Sequence, residues 1–517
     1  MKLSLYGALL SAVLMLYGCN SSDSSEQADA QAPIKPWQSW AESLSTREYN
    51  VTQGSVYMVD NAACDKLISV FGTCFGNNPA APYLIPQLPV GETYVDPYYA
   101  YDFDATGPDG DRTNMFFRLG ENDALVTIVN LPPKAAYMGY QTYLFSRDVS
   151  YYAALTSDPK TTPDPYRAEI FGSLGNDINN VVVQNGANIA WSGNAVVYIT
   201  TPNQALADVL VADAASAGLQ SQVIFTEPVG DITILGEDSN ADEFITLIRY
   251  ALPEDDTAAD RWKASRDDNI LVYRVSKNNL QFSPFATPEY TQKMTVDESE
   301  YNASLVELTT LLATHLQTST GLPVVSKEMY TSELDMSTGE LAGLVGQECI
   351  AKGTKCLGDN QDTDAYRFGY IGLLERDHSA IVTGVNHTLN DAATYVSLAV
   401  YNMAGFHGVA SISQTNVGVT GYDKGYLTGS AEAVLRAYGL YESASQKLKE
   451  QLPILYASVV SRDCEASLGD YCVDINMTEV PLRWPLAITQ RAYVKPGSTS
   501  GASPNALLSP YVIKINK

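Results

Sequence analysis

Residues 196–200 read VVYIT, and Thr201 and Pro202 follow. All five are β-branched or aromatic, and such residues suit a pleated, packed surface. Thr201 is a good N-cap and Pro202 fits the first turn of a helix. A helix is therefore expected over 203–217, stopped by Gly218. QVIFT at 222–226 reads as a second strand and FITLIRY at 244–250 as a third. Pro253 and the acidic Glu254, Asp255 and Asp256 open another helix through Trp262, and ILVYRV at 270–275 closes the unit. The order is βαββαβ.

That order is the split βαβ arrangement of a ferredoxin-like unit, an architecture that hosts many activities and identifies none. Working outward, the chain is expected to be α+β and multi-part. A loop-rich β region covers 34–189, the ferredoxin-like domain 190–278, and a C-terminal α+β domain of β-hairpin plus helices 279–517. ALVTIVN at 124–130 is a strand run, broken by Pro132-Pro133, and AYMGYQTYLF at 136–145 is another. A helix is expected at about 298–317, with Leu305, Leu308, Leu312 and Leu316 on one stripe. A hairpin is predicted near 378–402, turning at Asn390-Asp391, and helices over 430–462, interrupted at Pro453. No sequence repeat stands out.

Lys+Arg number 32 against Asp+Glu 59, a formal charge of −27, and 45% of residues are hydrophobic. A surface so acidic repels nucleic acid and anionic headgroups, so no nucleic-acid partner is expected. The apolar share is ample for a packed core.

The N-terminus carries an address. Met1 and Lys2 form a short basic region, and an apolar run follows from Leu3 to Tyr17, too short to span a bilayer comfortably. It ends Leu16-Tyr17-Gly18-Cys19, which resembles the lipobox of bacterial lipoproteins, with Tyr17 a departure from the usual small residue. The resemblance implies removal of residues 1–18 as a signal peptide and acylation of Cys19. The lost Lys2 takes the formal charge to −28. Several acyl chains anchor durably, at about 0.8 kcal/mol per buried CH2. Asn20 in place of Asp implies sorting to the outer membrane, so the lipid on Cys19 makes the membrane the expected partner. The polar 20–33 stretch, NSSDSSEQADAQAP, reads with Cys19 as a disordered tether.

Beyond Cys19, six cysteines fall in three close pairs, Cys64/Cys74, Cys349/Cys356 and Cys464/Cys472. An oxidising envelope favours disulfides between them. The CxxC spacing and nearby histidines of a zinc module are missing.

Three acidic loops have the composition of a Ca2+ site, which wants six to eight oxygens. Asp102, Asp104, Asp109 and Asp111 alternate with glycines; Asp102, Asp104 and Gly107 match the first half of an EF-hand loop, but Thr113 stands where the bidentate Glu belongs. Asp359, Asp362 and Asp364 form a second candidate, and 237–242 a third. The plainer reading of each is a solvated loop of an acidic protein. Of four histidines, His387 is placed at the rim of an apolar hairpin face, where it is either a general base or a side chain satisfied by a carbonyl. Asp391, Asp359 or Asp362 could orient it. The sequence around Ser173, FGSLG, has the wrong glycine spacing for a nucleophile elbow.

Thirty-three tyrosines is a high count. Tyr98, Tyr99 and Tyr101 form the clearest candidate binding cluster, with Tyr137, Tyr140 and Tyr143 alternating imperfectly along a strand. Residues 125–148 and 170–179 are similar in rhythm to uncharacterised secreted bacterial proteins, a resemblance that brings no activity. The expectation is a surface lipoprotein binding a small molecule, glycan or partner through tyrosine-rich surfaces; the alternative is a calcium-stabilised secreted hydrolase acting on polymers or esters.

Overall fold

Alternate residues of Asp123–Asn130 are buried against different layers. Leu125 and Val129 face one core, Ala124, Val126 and Ile128 another. A strand flanked by apolar layers on both sides is continuously hydrophobic, which is why ALVTIVN shows no alternation. The computed structural model describes residues 35–90, 105–108, 110–152, 167–187, 191, 193–331, 334–335, 340–341, 345–356, 358–413, 423–478, 480–503 and 506–516.

The first half of the chain contributes the strands β1 (Asn50–Gln53), β2 (Tyr83–Pro89), β3 (Asp123–Asn130), β4 (Ala135–Asp148), β5 (Arg167–Ser173), β6 (Ala195–Thr201), β7 (Ile224–Pro228), β8 (Glu243–Pro253) and β9 (Ile270–Ser276). They form two sheets, in the orders β1-β9-β3-β6-β7 and β2-β8-β4-β5. Residues 34–189 and 190–278 thus supply strands to both. The fold is α+β, as expected, and the six elements of 195–276 appear in the order read from sequence. Their pairing is not ferredoxin-like. β3 lies between β9 and β6, and β8 lies in the other sheet between β4 and β2. All of β8 is buried, so it needs covered faces and a partner at each edge, and β4 and β2 are those partners.

The second half contributes β10 (Val324–Glu328), β11 (Arg367–Gly372), β12 (Ser379–Val385), β13 (Tyr395–Asn402), β14 (His407–Ser413), β15 (Leu455–Ser461), β16 (Cys472–Asp474), β17 (Leu486–Tyr493) and β18 (Tyr511–Ile515). Their orders are β10-β18-β12-β15-β16 and β11-β17-β13-β14. Adding nine to each strand of the first half reproduces the second. The senses agree too: β6/β7 and β15/β16 are parallel, and the other numbered neighbours antiparallel. The chain is a tandem repeat of one topology. Once the strands are matched, two sequence traces emerge. Ala124-Leu-Val-Thr-Ile-Val-Asn130 matches Ala380-Ile-Val-Thr-Gly-Val-Asn386, and Cys74-Phe-Gly-Asn-Asn78 matches Cys356-Leu-Gly-Asp-Asn360.

Two expectations for the second half are corrected. β12 and β13 do not form a hairpin: β12 pairs with β15 and β18, and β13 with β14 and β17. Both are buried along their length, so no apolar face distinguished one partner from another. The hairpin is β13/β14. Residues 455–461, expected as helix, are strand β15. LYASVVS is wholly buried, a continuous apolar run that periodicity cannot separate from a buried helix.

Helices cover the outer sheets. α1 (Pro36–Leu44) and, after α2 (Asn61–Phe71), α3 (Gln204–Ser216) pack Trp37, Trp40, Leu206 and Leu210 on the first. α4 (Ser299–Thr320) lays its expected leucine stripe on the outer sheet of the second half. The inner sheets meet at a seam built from Tyr137, Leu252, Tyr395, Tyr493 and neighbours, with Tyr137 and Tyr493 ring centroids 4.6 Å apart. No helix among the described residues is long and apolar enough to cross a membrane.

All three expected disulfides are present, Cys64–Cys74, Cys349–Cys356 and Cys464–Cys472, and they fit an extracytoplasmic protein. The first two staple equivalent places: each ties a helix, α2 or α5 (Gly346–Lys352), to the loop before β2 or β11. Replacing Cys349 and Cys356 together by Ser is expected to cost about 2–3 kcal/mol of stability, read as the shift of the guanidinium unfolding midpoint against the intact protein.

Candidate functional site

The loop after each stapled helix crosses the seam and docks on the other half. Cys74 N and Gly76 N donate to Gly405 O and Phe406 O, at 2.7 and 2.9 Å; Cys356 N and Gly358 N donate to Ile170 O and Phe171 O, at 2.7 and 2.8 Å. The next side chain repeats the pattern. Asn77 Oδ1 accepts from Gly408 N at 2.9 Å, and Asp359 Oδ1 from Ser173 N at 2.8 Å. Gly76 and Gly358 have φ +65° and +72°, and their partners Phe406 and Phe171 also have positive φ. Each loop thus makes the same two backbone bonds to the other half, the reciprocal pattern of a pseudo-two-fold relation between the halves.

At this crossing lie two buried arginines that sequence reading missed. Arg249 on β8 stands opposite Gly139 of β4, and Arg491 on β17 opposite Ser397 of β13, equivalent positions in the two inner sheets. They are 4% and 5% exposed. Arg249 Nη2 donates to Tyr143 Oη at 2.5 Å, and Arg491 Nη2 to Tyr401 Oη at 3.1 Å and Gly76 O at 2.6 Å. Each guanidinium also sits by tyrosine rings: Arg249 is 5.5 Å from Tyr83 and 5.4 Å from Tyr143, Arg491 4.7 Å from Tyr366 and 6.0 Å from Tyr401. Ring faces attract a desolvated cation. Both arginines, Tyr83, Tyr366, Gly76 and Gly358 line one cavity of about 50 Å³, whose remaining wall on the first half is apolar apart from Asn77.

Behind Arg249 is a cluster of buried carboxyls. Asp177 Oδ1 lies 3.5 Å from Arg249 Nη1. Asp362 accepts from Tyr137 Oη at 2.9 Å and Asn179 Nδ2 at 2.7 Å. Burial, reinforced by the charge of Asp362, pushes Asp177 well above the usual carboxylate range; burial pushes Asp362 up to about 7 despite the hydrogen bonds of Asn179 and Tyr137. A carboxyl whose folded pKa exceeds its unfolded value binds its proton more tightly in the native state. Its stabilising contribution is complete below the ordinary carboxylate pKa and is lost as pH rises through about 7. The melting temperature is therefore expected to fall between about pH 4 and pH 7 on this account, and the slope should flatten in Asp362→Asn, in melts recorded across that range.

No family model matches the chain, and no curated protein matches it. A crystal structure of an uncharacterised protein from Burkholderia cenocepacia is similar at TM-score 0.32 and 9% identity, over 85% of this chain and 77% of that one, a likeness too low to carry a fold or an activity across.

The residues singled out from sequence are placed as follows. Cys19, Tyr98, Tyr99, Tyr101, Asp102, Asp104 and Asp109 lie outside the described residues. Asp111 is exposed, in the turn closed by Gly107 N to Asp111 O at 2.8 Å. Asp359, Asp362 and Asp364 are buried and do not converge. Asp359 Oδ2 accepts from Ser173 Oγ at 2.7 Å and Gly346 N at 2.8 Å, Asp362 serves Tyr137 and Asn179, and Asp364 Oδ1 accepts from Ala492 N at 3.2 Å. Among the described residues no three His, Cys, Asp or Glu side chains form a group that could hold a metal. His387 is fully buried: Nδ1 meets Glu298 Oε1 at 2.6 Å and Nε2 meets Gln490 Nε2 at 2.9 Å. Its orienting carboxylate is Glu298, not Asp391, Asp359 or Asp362. Burial raises the Glu298 pKa, but His387, Asn390 and Leu508 N outweigh it and hold the carboxylate below its usual range. Tyr137, Tyr140 and Tyr143 are core residues, at most 1% exposed.

The one sequence signal for the site was the Cys-x-Gly-[Asn/Asp]-Asn pair, whose meaning depends on knowing that the halves repeat. Nothing in FITLIRY or AITQRAY marks the arginine as facing a cavity.

Proposed function

We propose that the protein is an outer-membrane-anchored surface lipoprotein that binds a small molecule in the cavity between its two halves. The observation that carries the binding reading is the pair of buried guanidiniums beside that cavity. Taking such a charge out of water costs several kcal/mol unless it is compensated, and a ligand that uses the donors supplies the compensation. Clefts at the junction of two structural units, apolar with a few convergent polar groups, are common ligand sites. The anchor rests on Leu16-Tyr17-Gly18-Cys19, and the disulfides are consistent with it. The tyrosines of this reading are Tyr83 and Tyr366, which line the cavity; Tyr98, Tyr99 and Tyr101, the cluster expected to bind, lie outside the described residues.

Two measurements test this. Metabolic labelling with an alkyne fatty acid should mark the wild type and not Cys19→Ala, with the label in the outer-membrane fraction; an unlabelled wild type removes the anchor. Native mass spectrometry of lipid-free residues 21–517 with a mixed small-molecule panel should show a stoichiometric adduct that is released unchanged. Turnover of the bound compound would replace binding by catalysis.

A further inference from the structure

We infer that the cavity between the halves takes a small monocarboxylate of two to three carbons, its oxygens held by Arg249 and Arg491 and its short tail against phenylalanine. This rests on reading the cavity as a ligand site, and names what fills it.

Donors come first. Arg249 Nη1 and Arg491 Nε are buried and make no hydrogen bond. A guanidinium is a planar fork of N–H donors that matches a carboxylate, and here two forks from equivalent positions border one space. The charge is only partly neutralised. Arg249 has Asp177 at 3.5 Å, whereas Arg491, among the described residues, has only Gly76 O and Tyr401 Oη as hydrogen-bond acceptors and no carboxylate in ion-pair range. Tyrosine rings flank both cations and fix their planes.

The opposite wall selects for an apolar end. Phe75, Phe116, Phe145 and Phe171 line it, with Met115 and Leu247. The rings form one cluster: Phe116 and Phe145 are tilted against each other with centroids 4.3 Å apart, and Phe75 and Phe171 pack edge to face at 5.8 Å. A fully hydrated inorganic anion leaves that wall unused. Size sets the upper limit. One water needs about 10–15 Å³ on this measure, so about 50 Å³ admits a ligand of about four or five heavy atoms, the size of acetate or propionate, and is too small for benzoate. Phe75 is only partly buried, so its ring is the nearest movable part of the wall.

The test is isothermal titration of lipid-free residues 21–517 with sodium acetate, propionate and benzoate, with sodium chloride as the control. Acetate or propionate should bind saturably at one site, benzoate at least tenfold more weakly, and chloride should not compete at equal concentration. Arg491→Lys, which keeps the charge and removes the fork, should weaken binding at least tenfold, with folding verified by circular dichroism; Arg249→Lys provides the second reading if that variant misfolds. Absence of saturable carboxylate binding by the wild type overturns the inference. So does competition by chloride at equal strength, or affinity unchanged in both lysine variants. If carboxylates fail while the panel yields another adduct, the ligand class is wrong and the ligand-site reading survives; if neither binds, both fall.

Discussion

Gly76→Ala lowers the free energy of unfolding by about 3–4 kcal/mol, while Gly72→Ala lowers it by only about 1–2 kcal/mol. Both glycines have φ near +70°, at +65° and +71°, so each variant meets the left-handed penalty of an L residue. They differ in surroundings. A Cβ on residue 76 would lie 2.6 Å from Phe406 Cε1, while one on residue 72 meets nothing within 4 Å. The excess loss at position 76 therefore reports the docking of this loop on the other half. Gly358→Ala should behave like Gly76→Ala, because its Cβ would lie 2.9 Å from Phe171 Cζ. Urea midpoints of the three variants, with the slopes held equal, check this. Equal losses at 72 and 76 would mean that the loop is free to yield and that crossing the seam contributes little.

Asp359→Ala is expected to cost about 3–5 kcal/mol, since a buried donor left unpaired costs about 1–3 kcal/mol. The carboxylate accepts from Ser173 N, Ser173 Oγ and Gly346 N, at 2.8, 2.7 and 2.8 Å, and ties β5 of the first half to α5 of the second. Alanine takes that acceptor from Ser173 N and Gly346 N, while Ser173 Oγ keeps Tyr290 Oη at 3.2 Å. Asp359→Asn keeps one acceptor and should recover part of the loss. Asn77 holds the equivalent place and bonds Gly408 N at 2.9 Å, so Asn77→Ala, which removes a neutral acceptor in place of a carboxyl, should cost less. Chemical unfolding of the three variants gives the comparison. A loss at Asp359→Ala of under about 1 kcal/mol would put the donors in contact with water and would argue against a tightly closed seam.

Much of the local structure was legible. The helix at 204–216 and the strands at 195–201, 243–253 and 270–276 follow from caps, breakers and β-branched runs, which act over a few residues. The leucine stripe of 299–320 lands on the core because a helical period selects a face without reference to anything distant. The three disulfides join sequence neighbours, the pairing with the shortest loops. His387 shows the limit of such reading. Its apolar surroundings were visible, but its partner Glu298 lies 89 residues away.

Pairing was not legible, for a physical reason. β3, β8, β12, β13 and β15 are buried nearly throughout, so their sequences say only that apolar material lies on every side. An alternating strand declares its inner face; a continuous one is compatible with several neighbours. Both the ferredoxin-like order and the β12/β13 hairpin failed on that ambiguity.

The sequence by itself determined the local elements, the three disulfides and the α+β class, because caps, breakers and periodicity act between residues close in the chain. Only the tertiary structure decided that the two halves repeat, that each sends a loop across the seam, and that Arg249 and Arg491, 242 positions apart by their numbers, come to border one cavity. That outcome depends on which sheet each fully buried strand joins, and the choice is made by packing among layers rather than by any neighbour in the chain.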